Sequence, residues 1–93
     1  ILGAIGGHFR RLATAKILID NGKNVSDFMK MTGQREYPAK KAMSAANHFS
    51  IRFYETVSRL VLECDVKIKS SMDTPERILE VLLMDLFREA RND

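Results

Sequence analysis

Four side chains of the sequence could take part in acid–base, metal or thiol chemistry: His8, His48, Cys64 and Asp65. Catalysis of this kind needs a nucleophile beside a base, or two carboxylates across a cleft, and a metal site needs several ligands at close spacing. The two histidines belong to different predicted helices and form neither an HxxxH nor an HExxH pattern. The sequence therefore predicts no enzyme, no metal site and no cofactor.

Each of these residues also has a simpler structural interpretation. Cys64 sits at an apolar helical position in "RLVLECDV", which is typical of a buried cysteine, and as the single cysteine it cannot form an internal disulfide. Asp65 is expected on a helix surface, paired with Lys69 four residues later or with a neighbouring loop. We expect His48 to cap a helix end or face solvent, and His8 to pack or face solvent. Only convergence of Asp65, His8 and His48 in one pocket would favour a small enzyme.

The stretch from Val25 to Met43, "VSDFMKMTGQREYPAKKAM", resembles a helix-turn-helix DNA-binding motif. It predicts a capped short helix, a glycine stop and a basic helix with Lys40 and Lys41 near its start, where both could contact DNA phosphates weakly. The predicted joint from Gly33 to Pro38 is longer than the usual turn. The exposed face of the basic helix in this motif offers lysine and asparagine but no arginine, which is a preferred residue for reading DNA bases. We favour a solvated basic face and keep DNA binding as the alternative.

Length and composition fit one domain. The chain has 93 residues, of which 45% are hydrophobic and 29% charged, as in an ordinary globular protein. No apolar run approaches the roughly 18–20 residues of a membrane span. Residues 1–49 carry a net charge of +5 and residues 50–93 a net charge of −2, so the first half is better suited to anionic partners. The sequence begins at Ile1 with no methionine and no signal-peptide pattern, so we expect a piece of a longer, cytoplasmic protein.

Hydrophobic periodicity predicts an all-α domain of five helices. The expected ranges are 1–21, 27–32 with Ser26 as N-cap, 38–48 with Pro38 in the first turn, 50–69, and 75–91 with Thr74 as N-cap. Gly22 and Gly33 are expected to end the first two helices, and "QREY" is expected to be a loop.

The fifth predicted helix is apolar nearly all round. Such a helix is either central in its domain or partly covered by another subunit, and of these two interpretations we favour the central position. Should a subunit interface exist, the pattern places it on Leu79, Leu83, Leu86 and Phe87 of this helix and at the start of the first helix.

The order of features in the chain resembles a known family. The segments are "GHFRRLATAKILIDNGKN", "VSDFMKMTG", "YPAKKAMSAANHFS", "LVLECDVKIKSS" and "ERILEVLLMDLF". Together they resemble the C-terminal domain of the delta subunit of bacterial DNA polymerase III, a clamp-loader subunit. The most specific parts are the Phe-Arg-x-Leu that begins at Phe9 and the Asp-x-x-Ile-Lys-Ser that begins at Asp65. Ser71 departs from the glycine that is usual in the family after this second motif.

This resemblance implies a helical, non-catalytic domain that follows two N-terminal domains built like an ATPase module. In the family, the C-terminal domains of five clamp-loader subunits form a ring, the collar, so the implied partners are the delta prime and tau/gamma subunits. The sliding clamp is bound through the N-terminal domain, which this piece lacks, and DNA is contacted at most indirectly. The implied role is assembly of the clamp loader in the bacterial cytoplasm, within the DNA polymerase III holoenzyme.

Overall fold

The computed structural model describes residues 2–93, and these form five α-helices with no strand among them. The helices are α1 (Leu2–Asp20), α2 (Val25–Thr32), α3 (Glu36–Ala46), α4 (Ile51–Lys69) and α5 (Pro75–Asn92). The all-α prediction is confirmed. Helix α1 packs against α2, α3 and α4, whereas α5 packs against α4 alone. The domain is therefore held together by α1 and α4, with α5 at one side.

Two clusters of buried side chains match this arrangement. The smaller one lies between α4 and α5 and consists of Cys64, Ile78 and Leu82. The larger one joins the first four helices and is built from Leu12, Ala15, Phe28, Ala39, Met43, Ala46, Phe53, Tyr54 and Val57. Because α4 contributes to both clusters, it fixes the position of α5 relative to the rest of the domain.

The favoured interpretation of α5 as a central helix is wrong. Ile78 and Leu82 are buried against α4, but Leu83 is 46% exposed and Phe87 is 74% exposed. A helix that contacts only one neighbour can bury only one stripe of side chains. The apolar residues elsewhere on α5 therefore face solvent within this chain.

Helix α2 begins with a capping box centred on Asn24. The Asp27 backbone N–H donates to Asn24 Oδ1 at 3.1 Å, and the Asn24 backbone N–H donates to Asp27 Oδ2 at 2.9 Å. The prediction of Ser26 as N-cap is wrong. The N-cap is Asn24, two residues earlier, because there the reciprocal pair satisfies the backbone N–H groups of both Asn24 and Asp27. Gly33 ends the helix at φ 74°, in the left-handed region that favours glycine, as predicted.

Helix α3 starts earlier than predicted. Glu36 and Tyr37 already belong to it, so only part of "QREY" is a loop, and Pro38 falls in the first turn, where its missing N–H does no harm. The joint between α2 and α3 is accordingly three residues, 33–35. Arg35 occupies the N-cap position without a capping side-chain hydrogen bond. The sequence argument that this joint is too long for a helix-turn-helix is therefore wrong.

The remaining helix ends follow local capping chemistry. Ser50 caps α4 by accepting a hydrogen bond from the Phe53 N–H, and Thr74 caps α5 by accepting one from the Arg77 N–H, with Pro75 as the first helical residue. Between these two helices Ser71 has φ 53°, and it is the one residue other than glycine with positive φ among residues 2–93. Glycine would adopt this conformation without steric cost, so the departure from the expected glycine at Ser71 leaves the turn geometry intact but strained.

Candidate interaction surfaces

The four residues predicted as an interface on α5 fall into two pairs. Leu79 and Leu86 are half-buried and pack against the cluster of Cys64, Ile78 and Leu82, and Leu86 also touches the larger cluster. Leu83 and Phe87 are exposed. Leu79, Leu83 and Phe87 follow one another at intervals of four residues, so they form one row along the helix, and exposure to solvent increases along this row towards Phe87.

Two further apolar residues on α5 are exposed. Met84 is 68% exposed and Val81 is 47% exposed. Met84 was not predicted as an interface residue, although its position three residues before Phe87 puts both side chains on adjoining parts of the helix surface. Methionine is common on surfaces that bind protein partners, because its flexible side chain adapts to the partner.

The start of α1, also predicted as an interface region, borders a groove of about 430 Å³ against α4. Its apolar lining includes Leu2, Phe9 and Leu62, of which Leu62 is 64% exposed. A Cβ added at Gly6 would lie 3.4 Å from Val61 Cγ1, at the floor of this groove. Helices α1 and α4 therefore come close at Gly6, although a side chain as small as alanine would make only an ordinary van der Waals contact there.

Lys40 and Lys41, predicted as weak phosphate contacts, are both exposed on α3. Lys40 Nζ lies 2.9 Å from Glu36 Oε1 in an ion pair, and Lys41 Nζ lies 5.8 Å from the centre of the Tyr37 ring. Both lysines thus have local partners one turn earlier in their own helix. An exposed pair of this kind is worth about 0–1 kcal/mol and can be exchanged for a phosphate.

The four residues that could take part in chemistry, His8, His48, Cys64 and Asp65, have different surroundings in the structure. Asp65 pairs with Lys69 at 2.9 Å, as predicted, and borders the α1–α4 groove. Cys64 is buried on the α5 side of the same helix, and burial raises the pKa of its thiol, which disfavours the reactive thiolate. His8 and His48 are exposed, and the His8 ring packs edge-on against the Phe9 ring at 5.5 Å.

Within residues 2–93, no group of three or more histidine, cysteine or acidic side chains is arranged to hold a metal ion. In the same part of the chain, none of the helices combines the length and the apolar character needed to cross a membrane.

Five helices with a peripheral last helix define a small all-α domain that exposes apolar side chains on that helix. A family model described as "DNA polymerase III delta subunit, C-terminal domain" matches residues 1–86. The match covers all but the last seven of the 93 residues, so the chain belongs to this family. It extends through α5 as far as Leu86, and Phe87 is the first residue beyond it. Searches of curated proteins and of solved structures found no match.

Proposed function

We propose that this domain holds the delta subunit of DNA polymerase III within the clamp loader, as part of the collar formed by the subunits' C-terminal domains. It carries out no chemistry itself. The observation that carries the proposal is the exposed apolar face of α5, which packs on α4 alone in a chain that belongs to the delta C-terminal family. We assign the contact to Leu79, Leu83, Leu86 and Phe87, extended by Met84.

The energetics of this face support a protein partner. Complete burial of a large apolar side chain contributes about 1.5–3 kcal/mol, and Leu83, Met84 and Phe87 keep between 46% and 74% of their surface in solvent. Covering all three would contribute several kcal/mol, about the size needed to offset the loss of translational and rotational freedom on association. Further contact along the α1–α4 groove would add to this.

Under this proposal the chain is the C-terminal part of a longer, multi-domain subunit located in the bacterial cytoplasm. Its direct partners are the delta prime and tau/gamma subunits of the collar. The sliding clamp is reached only through the subunit's N-terminal domain, and DNA only indirectly. The family assignment as a C-terminal domain supports this arrangement.

The proposal is tested by mixing this domain with the C-terminal domains of the other subunits and measuring mass by light scattering. Association at about 50 μM corresponds to a binding free energy of roughly −6 kcal/mol. We expect a mass increase with the wild-type chain and none with Phe87→Ser. Ile17→Ser is the matched control, because Ile17 is 50% exposed on α1, away from α5. No mass increase with any partner would contradict the proposal.

A second candidate function, DNA binding by α2 and α3, is favoured by the three-residue joint, which has the usual length for a helix-turn-helix. Arg35 at the N-cap of α3 is a further exposed cation in this part of the chain. A salt titration of duplex binding tests it. Sequence-preferring binding that Lys40→Ala and Lys41→Ala abolish would support this function, whereas weak binding lost at moderate salt would show only phosphate attraction.

A further inference from the structure

The outermost line of side chains on α5 has an ordered chemical pattern. Glu80, Met84, Phe87 and Arg91 are spaced by four, three and four residues, which places them in a single stripe along an α-helix. All four are exposed, and Met84 and Phe87 are the most exposed large apolar residues of the helix. We call this set the outer stripe.

Each end of the outer stripe carries an unpaired charge. Within residues 2–93, neither Glu80 nor Arg91 lies in any of the ion pairs, whereas Arg77 and Arg88 on the same helix are paired with Asp73 and Asp85. The stripe therefore reads, from its N-terminal to its C-terminal end, as acid, methionine, phenylalanine and base.

This pattern is complementary to itself when the helix direction is reversed. In an antiparallel pair of identical helices, Glu80 of one copy lies opposite Arg91 of the other, and Met84 lies opposite Phe87. The distance along the helix from Glu80 to Arg91 is about 16 Å, so both ends match at once. A parallel pair would instead place glutamate against glutamate and arginine against arginine, and charge pairs of this kind decide helix orientation.

We propose that two copies of this chain pair antiparallel through the outer stripe of α5, around a two-fold axis between Met84 and Phe87. Because the axis repeats every contact, the pair contains two Glu80–Arg91 ion pairs and two contacts between the Met84 thioether and the Phe87 ring. The contact is small, so the dimer is weak, with a dissociation constant on the order of 100 μM.

Pairing of two copies requires no other subunit, so it stands or falls independently of the proposed collar role. Phe87 takes part in both contacts. A collar partner that covers Phe87 therefore displaces the second copy, and free copies of the chain pair while assembled ones do not.

Sedimentation equilibrium of the 93-residue chain, from about 10 μM to about 1 mM, tests the pairing. We expect the mass to rise from the monomer value of 10.6 kDa towards twice that value. Glu80→Arg alone and Arg91→Glu alone should each weaken the dimer by roughly tenfold, because two attractions become two repulsions. An equimolar mixture of these two variants should regain wild-type affinity, since in the mixed pair each introduced charge faces its opposite.

The matched control is Glu55→Arg, which makes the same charge change at an exposed position on α4 that has no ion pair among the described residues. It should leave the dimer unchanged, and far-ultraviolet circular dichroism should show every variant folded. A chain that remains monomeric to 1 mM would overturn the proposal. So would a wild-type dimer that Glu80→Arg does not weaken, or one that mixing the two variants does not restore.

Discussion

Leu82 and Phe87 lie on the same helix, yet the structure predicts a large loss of stability when Leu82 is replaced by alanine and almost none when Phe87 is. Leu82 is 3% exposed between α4 and α5, so Leu82→Ala removes buried methyl groups and leaves a cavity, at a cost of about 2–5 kcal/mol. Phe87 is 74% exposed, so only about a quarter of the roughly 1.5–3 kcal/mol available from its burial is realised within the chain. The better helix propensity of alanine offsets most of that remainder, and Phe87→Ala should change stability by less than about 0.5 kcal/mol.

Urea unfolding, followed by far-ultraviolet circular dichroism at a protein concentration well below the expected dimer constant, measures both effects. Leu82→Ala should move the midpoint strongly to lower urea, and Phe87→Ala should leave it nearly in place, with similar slopes for all three proteins. A loss above about 1.5 kcal/mol for Phe87→Ala would show that Phe87 is buried within the chain. That result would refute the position of α5 on which both proposals depend.

Three further predictions concern polar contacts. Tyr54→Phe should lower the free energy of unfolding in urea by about 1–3 kcal/mol. The buried Tyr54 hydroxyl donates to the Ala46 carbonyl at 2.9 Å, and that carbonyl would lose its partner. A loss below about 0.5 kcal/mol would contradict this. Asn24→Ala should cost about 1 kcal/mol by removing the α2 cap, while Asn24→Ser keeps most of the stability, and equal values for the two variants would argue against the capping box. The side-chain and backbone hydrogen bonds from Ser50 hold the pKa of Asp93 below its ordinary 3.8. This stabilisation is present above pH 3.8 and is lost as pH falls through the lowered pKa. The variant Asp93→Asn should therefore lose less stability than the wild-type chain when the pH is lowered through this range. An unchanged dependence of the free energy of unfolding on acidic pH would contradict this expectation.

The all-α class and most helix ends follow from the sequence because capping is local chemistry. Thr74 with Pro75 and the two glycines Gly22 and Gly33 act within a few residues of their own position, whereas Ser50, expected as the first residue of a helix, is the N-cap just before it. Where two capping residues stand close together, the sequence alone does not choose between them. Asn24 prevails over Ser26 because Asp27 completes a capping box with Asn24.

The position of α5 could not be predicted from the sequence. An apolar pattern on nearly all sides of a helix indicates that the helix is buried, but it does not identify the helix or subunit that covers it. The same limit applies to the candidate surface. Leu79, Leu83, Leu86 and Phe87 look alike in the sequence, and only the direction from which α4 approaches separates the half-buried pair from the exposed one. The sequence overestimates the length of the α2–α3 joint for a different reason, since Pro38 favours a helix start at its own position whereas α3 begins at Glu36.

The most direct test of the assembly proposal compares the affinity of the delta subunit for its collar partners with and without the exposed α5 face. The double variant Leu83→Ser/Phe87→Ser is measured against wild type and against the Ile17→Ser control, by light scattering over a titration of the other subunits. The proposal predicts that the control assembles like wild type, and that the double variant, still folded by circular dichroism, loses at least about 2 kcal/mol of affinity, or roughly thirtyfold. A folded double variant that assembles with wild-type affinity would contradict the proposal.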